Sequence, residues 1–164
     1  SIRDDKCPQR SGYNRNEYRY GNGSASIVDF KILNSEMEEI VGIRSKEVFL
    51  VRCRVIFDED VKRPIFGITL KTKDGIELYG TNTLLKRTEI GEKRKGDDIW
   101  IEYRLRGNLQ PGDYLISVGV ASFDGGMVVP LDRRYDLATL SVLPGDESFG
   151  LVNLEGEIRI FDTI

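Results

Sequence analysis

The chain has 164 residues, 40% hydrophobic and 31% charged, with a formal net charge of −3 and no histidine. That suits one domain with its own buried core, not a disordered chain, and offers no global basic field for nucleic acid or an anionic membrane. No apolar run approaches the roughly 18–20 residues that cross a bilayer, and the missing histidine removes Ser-His-Asp and Cys-His catalysis and His-ligated zinc.

Residues 1–20 are polar and spotted with aromatics, as in SGYNRNEYRYGNGS, and read as an N-terminal arm or linker; residues 21–164 read as one β domain. The opening SIRDDKCPQR lacks the apolar core of a secretory signal. Cys7 sits in this lead-in and Cys53 at an inward strand position. Two such thiols make neither a disulfide framework nor a thiolate zinc site.

From there the pattern is β throughout. SIVDFKIL (26–33) is the first strand. VFLVRCRVIF (48–57) alternates, with Phe49, Val51, Cys53, Val55 and Phe57 on one face and Arg52 and Arg54 on the other. PIFGITLKT (64–72) puts Phe66, Ile68 and Leu70 inward and Thr69 and Lys71 outward. Asp74-Gly75 then predicts a hairpin into IELYG, with Leu78 inward and Tyr79 outward. The mixed charges of IGEKRKGDD (90–98) suit a solvated loop. IWIEYRLR (99–106) sends Trp100, Glu102, Arg104 and Arg106 outward. DYLISVGVAS (113–122) buries Tyr114, Ile116, Val118 and Val120 and leaves Ser117 opposite; YDLATLSVL and EIRIFDTI complete the candidate strands. Short strands with turn signals between them, and no sustained helical period, predict an all-β antiparallel sandwich or jelly roll.

No Walker phosphate loop or dinucleotide fingerprint is present. Asp58-Glu59-Asp60 cannot work as a catalytic pair, because neighbours on a strand point to opposite faces. Glu102 is suited to pairing with a cross-strand arginine or to accepting sugar hydroxyls. The outward set Arg52, Arg54, Thr69, Tyr79, Trp100, Glu102, Arg104 and Ser117 has the chemistry of a polyol platform. Aromatic rings stack on sugar C–H faces, and directional polar groups fix the hydroxyls.

Three segments carry a family resemblance: Tyr20-Gly21-Asn22-Gly23-Ser24-Ala25-Ser26-Ile27; Pro64 to Ile68 with Asp74-Gly75 and Leu78-Tyr79-Gly80-Thr81-Asn82-Thr83; and Asn108 to Gly119. In this order they resemble the C-terminal domain of the Wzt-type ATP-binding subunits of bacterial polysaccharide ABC exporters. The match loosens at Leu131-Asp132-Arg133-Arg134-Tyr135-Asp136. The resemblance implies an antiparallel β-sandwich of immunoglobulin-like or jelly-roll type, a non-catalytic module that binds lipid-linked O-antigen polysaccharide at the cytoplasmic face of the inner membrane. It implies a separate N-terminal ATPase domain that meets the transporter's membrane subunit, no nucleic-acid partner, and a homodimer. No metal or other cofactor is expected. EIRIFDTI is suited to adding a strand to a neighbour's sheet edge. The competing expectations are a structural dimerisation or docking domain and a carboxylate-dependent glycan hydrolase. The hydrolase needs two carboxylates across a cleft, and only Glu102 stands on the expected face.

Overall fold

The computed structural model describes residues 5–145 and 148–162. Nine strands account for most of them: β1 (Tyr18–Tyr20), β2 (Ala25–Asn34), β3 (Gly42–Arg44), β4 (Val48–Phe57), β5 (Pro64–Thr72), β6 (Glu77–Asn82), β7 (Asp98–Arg106), β8 (Gly112–Asp124) and β9 (Met127–Leu143). A six-stranded sheet runs β1-β9-β8-β5-β6, with β3 alongside the far end of β9; a three-stranded sheet runs β2-β4-β7. All pairings are antiparallel except β3 with β9. The architecture is the expected all-β antiparallel sandwich.

The inner faces follow the alternation in the sequence. Phe49, Val51, Cys53, Val55 and Phe57 of β4 are buried, and so are Phe66, Ile68 and Leu70 of β5 and Ile116, Val118 and Val120 of β8. Phe57 meets Phe66 edge-on at 6.3 Å between ring centroids. Gly125 and Gly126 turn β8 into β9 with φ of +56° and +81°, the double positive φ that a tight hairpin of the right twist requires.

One side of the sandwich is closed by charge. β2 bulges between Ile27 and Asp29. The backbone of Ile27 is met there by two inward side chains of β9: Asp132 Oδ2 accepts from its N–H at 2.7 Å, and Arg134 donates to its carbonyl at 2.8 Å. Arg134 is 1% exposed. Burial alone would lower its pKa, but hydrogen bonds to Glu17 and Asp5 outweigh that and raise it. Arg19 grips Asp132 with two bonds of 2.8 and 2.7 Å, and Arg10 grips buried Asp29 with two of 2.7 Å. Residues 5–20 therefore lie against the sandwich. Cys7 is fully buried and β1 is an edge strand on β9.

The other side is open, between edge strands β6 and β7. Here the structure departs from simple alternation. A bulge between Leu70 and Lys71 inserts Leu78, so Tyr79 lies opposite inward-facing Leu70. Leu78 packs against the core as expected, and Tyr79 turns toward the gap between the sheets rather than outward.

At the C-terminus, Leu109 and Val152 form an isolated bridge, and residues 157–162 join no strand. The last two residues of EIRIFDTI lie outside the described residues.

Candidate functional site

The eight candidate residues fall in three places. The first is the outer face of the small sheet. Arg54 stands opposite Trp100, and Arg52 opposite Glu102. Arg52 Nε donates to Glu102 Oε1 at 2.8 Å, the cross-strand pairing expected for this carboxylate. Arg54 closes a fork on Asp98 with bonds of 2.9 and 2.6 Å, and these hydrogen bonds hold the Asp98 carboxyl below its usual value. Lys31 of β2 lies 5.5 Å from the centroid of the Trp100 ring. Most of the charge on this face is thus neutralised locally. Arg104, opposite Leu50, has no carboxylate partner among the described residues.

The second place is the open side. Tyr79, Trp100, Glu102 and Arg104 line a cleft of about 420 Å³ between β6 and β7. Its floor is apolar: Ile68 of β5, Ile101, Tyr103 and Leu105 of β7, and Ile90 of the connecting loop. Tyr103 reaches across and donates from its hydroxyl to the Gly67 carbonyl at 3.1 Å. Burial drives its phenol pKa well up, so it stays a neutral donor. Trp100 and Tyr79 are 44% and 46% exposed and form aromatic flanks at the rim. Thr81, Lys86 and Thr88 add polar groups.

The Gly80-Thr81-Asn82-Thr83 segment has a divided role. Asn82 Oδ1 accepts from Leu85 N at 2.8 Å, and Thr83 Oγ1 accepts from Phe66 N at 3.2 Å. Short polar side chains close the turn after β6 in this way. Thr81 is left to the cleft. The turn also carries Lys86, which has no carboxylate partner among the described residues, so two unneutralised cations, Arg104 and Lys86, stand on one cleft. Alternation could not find Lys86, Thr88 or Thr81: two lie on a loop, and the third changes face because of the bulge.

The third place is the outer face of the large sheet. Thr69 and Ser117 are cross-strand partners there, on the far side of β5 from the cleft. Ser117 Oγ accepts from the Asp136 N–H at 2.9 Å. No group of three or more His, Cys, Asp or Glu side chains that could hold a metal ion occurs among the described residues. No helix among them is long and apolar enough to cross a membrane.

A model of the Wzt C-terminal domain family matches residues 16–154. The chain belongs to the Wzt C-terminal domain family. A crystal structure of the C-terminal domain of Wzt superposes with a TM-score of 0.90 at 30% identity, covering 98% of this chain and 99% of that one. A search of curated proteins finds no match. The likeness extends over the whole Wzt-type sandwich, including the N-terminal residues folded against it and the region around Leu131–Asp136, where the sequence resemblance is loosest.

Proposed function

We propose that this Wzt C-terminal domain is a non-catalytic carbohydrate-binding module that holds an O-antigen polysaccharide for export by an ABC transporter. It works at the cytoplasmic face of the bacterial inner membrane, and a separate ATPase domain supplies the power and the contact with the membrane subunit. The observation that carries this reading is the β6–β7 cleft. It combines an apolar floor, Tyr79 and Trp100 at the rim, threonine hydroxyls, and the two unneutralised cations Arg104 and Lys86. Aromatic flanks suit the C–H faces of pyranose rings, hydroxyls and Glu102 suit sugar hydroxyls, and the cations suit a phosphate or acidic sugar on the chain. Arg52 holds Glu102 in place. Arg54, tied to Asp98, supports the face without meeting the ligand. Among the described residues, Glu102 has no second carboxylate facing it across the cleft, which argues against hydrolysis.

The test is calorimetric titration of the chain with the polysaccharide of its host, with Trp100 fluorescence followed in parallel. Wild type binds saturably. Trp100→Ala and Arg104→Ala each weaken binding roughly tenfold, while Arg54→Ala leaves it within about twofold. No response by the wild-type chain in either readout removes the sugar reading.

A homodimer is the second part of the proposal. Leu154, Ile158, Ile160 and Phe161 are 76–93% exposed on a tail that joins no strand. An apolar extended segment of this kind is stable when it adds to a sheet edge of a second copy. Sedimentation gives a dimer for the full chain and a monomer after truncation at Asn153. A truncated chain that remains dimeric overturns this use of the tail.

A further inference from the structure

The large sheet's outer face carries an exposed aromatic cluster that the cleft does not use. Tyr18 and Tyr20 of β1 and Tyr135 of β9 gather there, with ring centroids 5.7, 6.4 and 5.8 Å apart. Tyr18 is 64% exposed and Tyr135 38%. The Arg133 guanidinium lies 5.8 Å from the Tyr20 ring centroid and donates to the Tyr20 hydroxyl at 3.0 Å. It has no carboxylate partner among the described residues.

Cross-strand register places these groups beside a hollow. Tyr20 stands opposite Arg133, Arg133 opposite Gly119, Gly119 opposite Gly67, and Gly67 opposite Asn82, so one row crosses five strands on one face. The centre of the row has no side chains. Tyr135 and Arg133 rise on one side, backed by Tyr20, and Asn82 and Leu84 rise on the other, around about 230 Å³. Neither central glycine has a positive φ, so backbone conformation does not require glycine at either position. Glycine inside a strand weakens it and often marks close approach by a ligand or another backbone. Added Cβ atoms would lie 3.3 Å from Arg133 Cγ and 3.4 Å from Asn82 Cβ, so side chains here would crowd the walls and fill the hollow.

We propose that this trough is a second glycan-binding site, distinct from the cleft. It takes a pyranose ring of the same polysaccharide, stacked on Tyr135, with Arg133 and Asn82 on its hydroxyls or on an acidic substituent. This rests on the carbohydrate-binding reading above. The two sites meet at the end of β6, where Thr81 and Asn82 line both. An extended polymer can therefore contact both at once, and each contact raises the effective concentration of the other.

The experiment is a ¹H–¹⁵N NMR titration of the chain with its host's polysaccharide, with calorimetry on Tyr135→Ala, Arg133→Ala, Gly119→Ser and the cleft variant Trp100→Ala. The amide signals of Gly67 and Gly119 shift on binding, and Tyr135→Ala weakens affinity roughly tenfold. Tyr135 is partly exposed, so its variant reads binding even where Gly119→Ser fails to fold. Saturable binding lost only in Trp100→Ala, with both glycine signals unmoved, overturns the trough and leaves the module's function standing. Binding lost only in the trough variants upholds the trough and removes the cleft. No binding by the wild-type chain overturns the carbohydrate reading and the trough with it.

Discussion

Replacing Arg134 with alanine tests the closed side of the sandwich. The guanidinium donates to Asp5 at 2.9 and 3.0 Å, to Glu17 at 3.0 Å and through a second, shorter bond, and to the Ile27 carbonyl at 2.8 Å. The Asp5 and Glu17 side chains are only 13% and 9% exposed, so removing the cation strands two poorly hydrated carboxylates and one carbonyl. Breaking a buried pair by removing one partner costs about 3–5 kcal/mol. For a chain of this size that is a fall in Tm of about 6–20 °C. Partial relief comes from Arg19, 3.4 Å from Asp5, and from the Tyr13 hydroxyl, 2.9 Å from Glu17. The loss should therefore lie toward the lower end. The pH dependence follows from Asp5. Burial pushes its carboxyl up, but the hydrogen bonds and charge of Arg134 outweigh burial and leave it below the ordinary 3.8. In wild type the Asp5 contribution is complete above that ordinary value and fades as pH falls through the lowered one. In the variant the stranded carboxylate favours its neutral form, so acid costs the variant less. The gap between the two proteins thus narrows below about pH 4. Urea and thermal unfolding followed by circular dichroism at pH 7 and pH 3 measure both effects. A loss under about 1 kcal/mol at pH 7, or a gap that does not change between the two pH values, would refute the reasoning.

Gly21 has φ of +152°, and a Cβ there would lie 2.2 Å from the Leu131 carbonyl oxygen. Gly21→Ala should cost more than about 1 kcal/mol and loosen β1 from β9, seen as faster amide exchange at Tyr18–Tyr20; unchanged exchange contradicts the clash. Tyr103→Phe removes one hydrogen bond to the Gly67 carbonyl and should lower Tm by about 2–4 °C, with the cleft still open to ligand. Cys53 is 2% exposed, and burial pushes its thiol up to about 12. Iodoacetamide at pH 8 should label it only after denaturation, and rapid labelling of the folded chain by mass spectrometry would contradict its burial.

The fold was legible wherever alternation met a paired strand. The inward sets of β4, β5, β7 and β8 are the ones the spacing indicates, because each strand packs one face on the opposite sheet. Three features escaped for a common reason: each depends on a partner distant in sequence. Residues 1–20 look like an arm or linker because β1 is only three residues long, and its Tyr18 and Tyr20 gain meaning only beside Tyr135. Asp132 and Arg134 break the apolar alternation of β9, and only the bulged backbone of β2 accounts for two charges there. EIRIFDTI alternates like a strand, yet residues 157–162 pair with no edge of the described sheets, and alternation alone cannot supply a partner. Of the candidate site residues, Trp100, Glu102 and Arg104 share one face of β7, whereas Thr69 and Ser117 lie on the other sheet. Outward parity gives a face, not a sheet, and in a sandwich there are two outer faces.

The bulge at Leu78 shows how one residue sets both hollows. The Asp74–Gly75 turn fixes the start of the hairpin, with Thr72 N donating to the Ile76 carbonyl at 2.9 Å. Strict alternation from that turn would put Tyr79 opposite Thr69 and send its ring to the outer face. The extra residue puts Tyr79 opposite Leu70, Thr81 opposite Ile68 and Asn82 opposite Gly67. The aromatic ring and Thr81 therefore enter the cleft, and Asn82 moves to the outer row beside the two glycines. A one-residue change in register exchanges every side chain between faces. The chemistry of β6 is thus divided between a rim for the cleft and a wall for the trough by a local irregularity that hydrophobic periodicity cannot report.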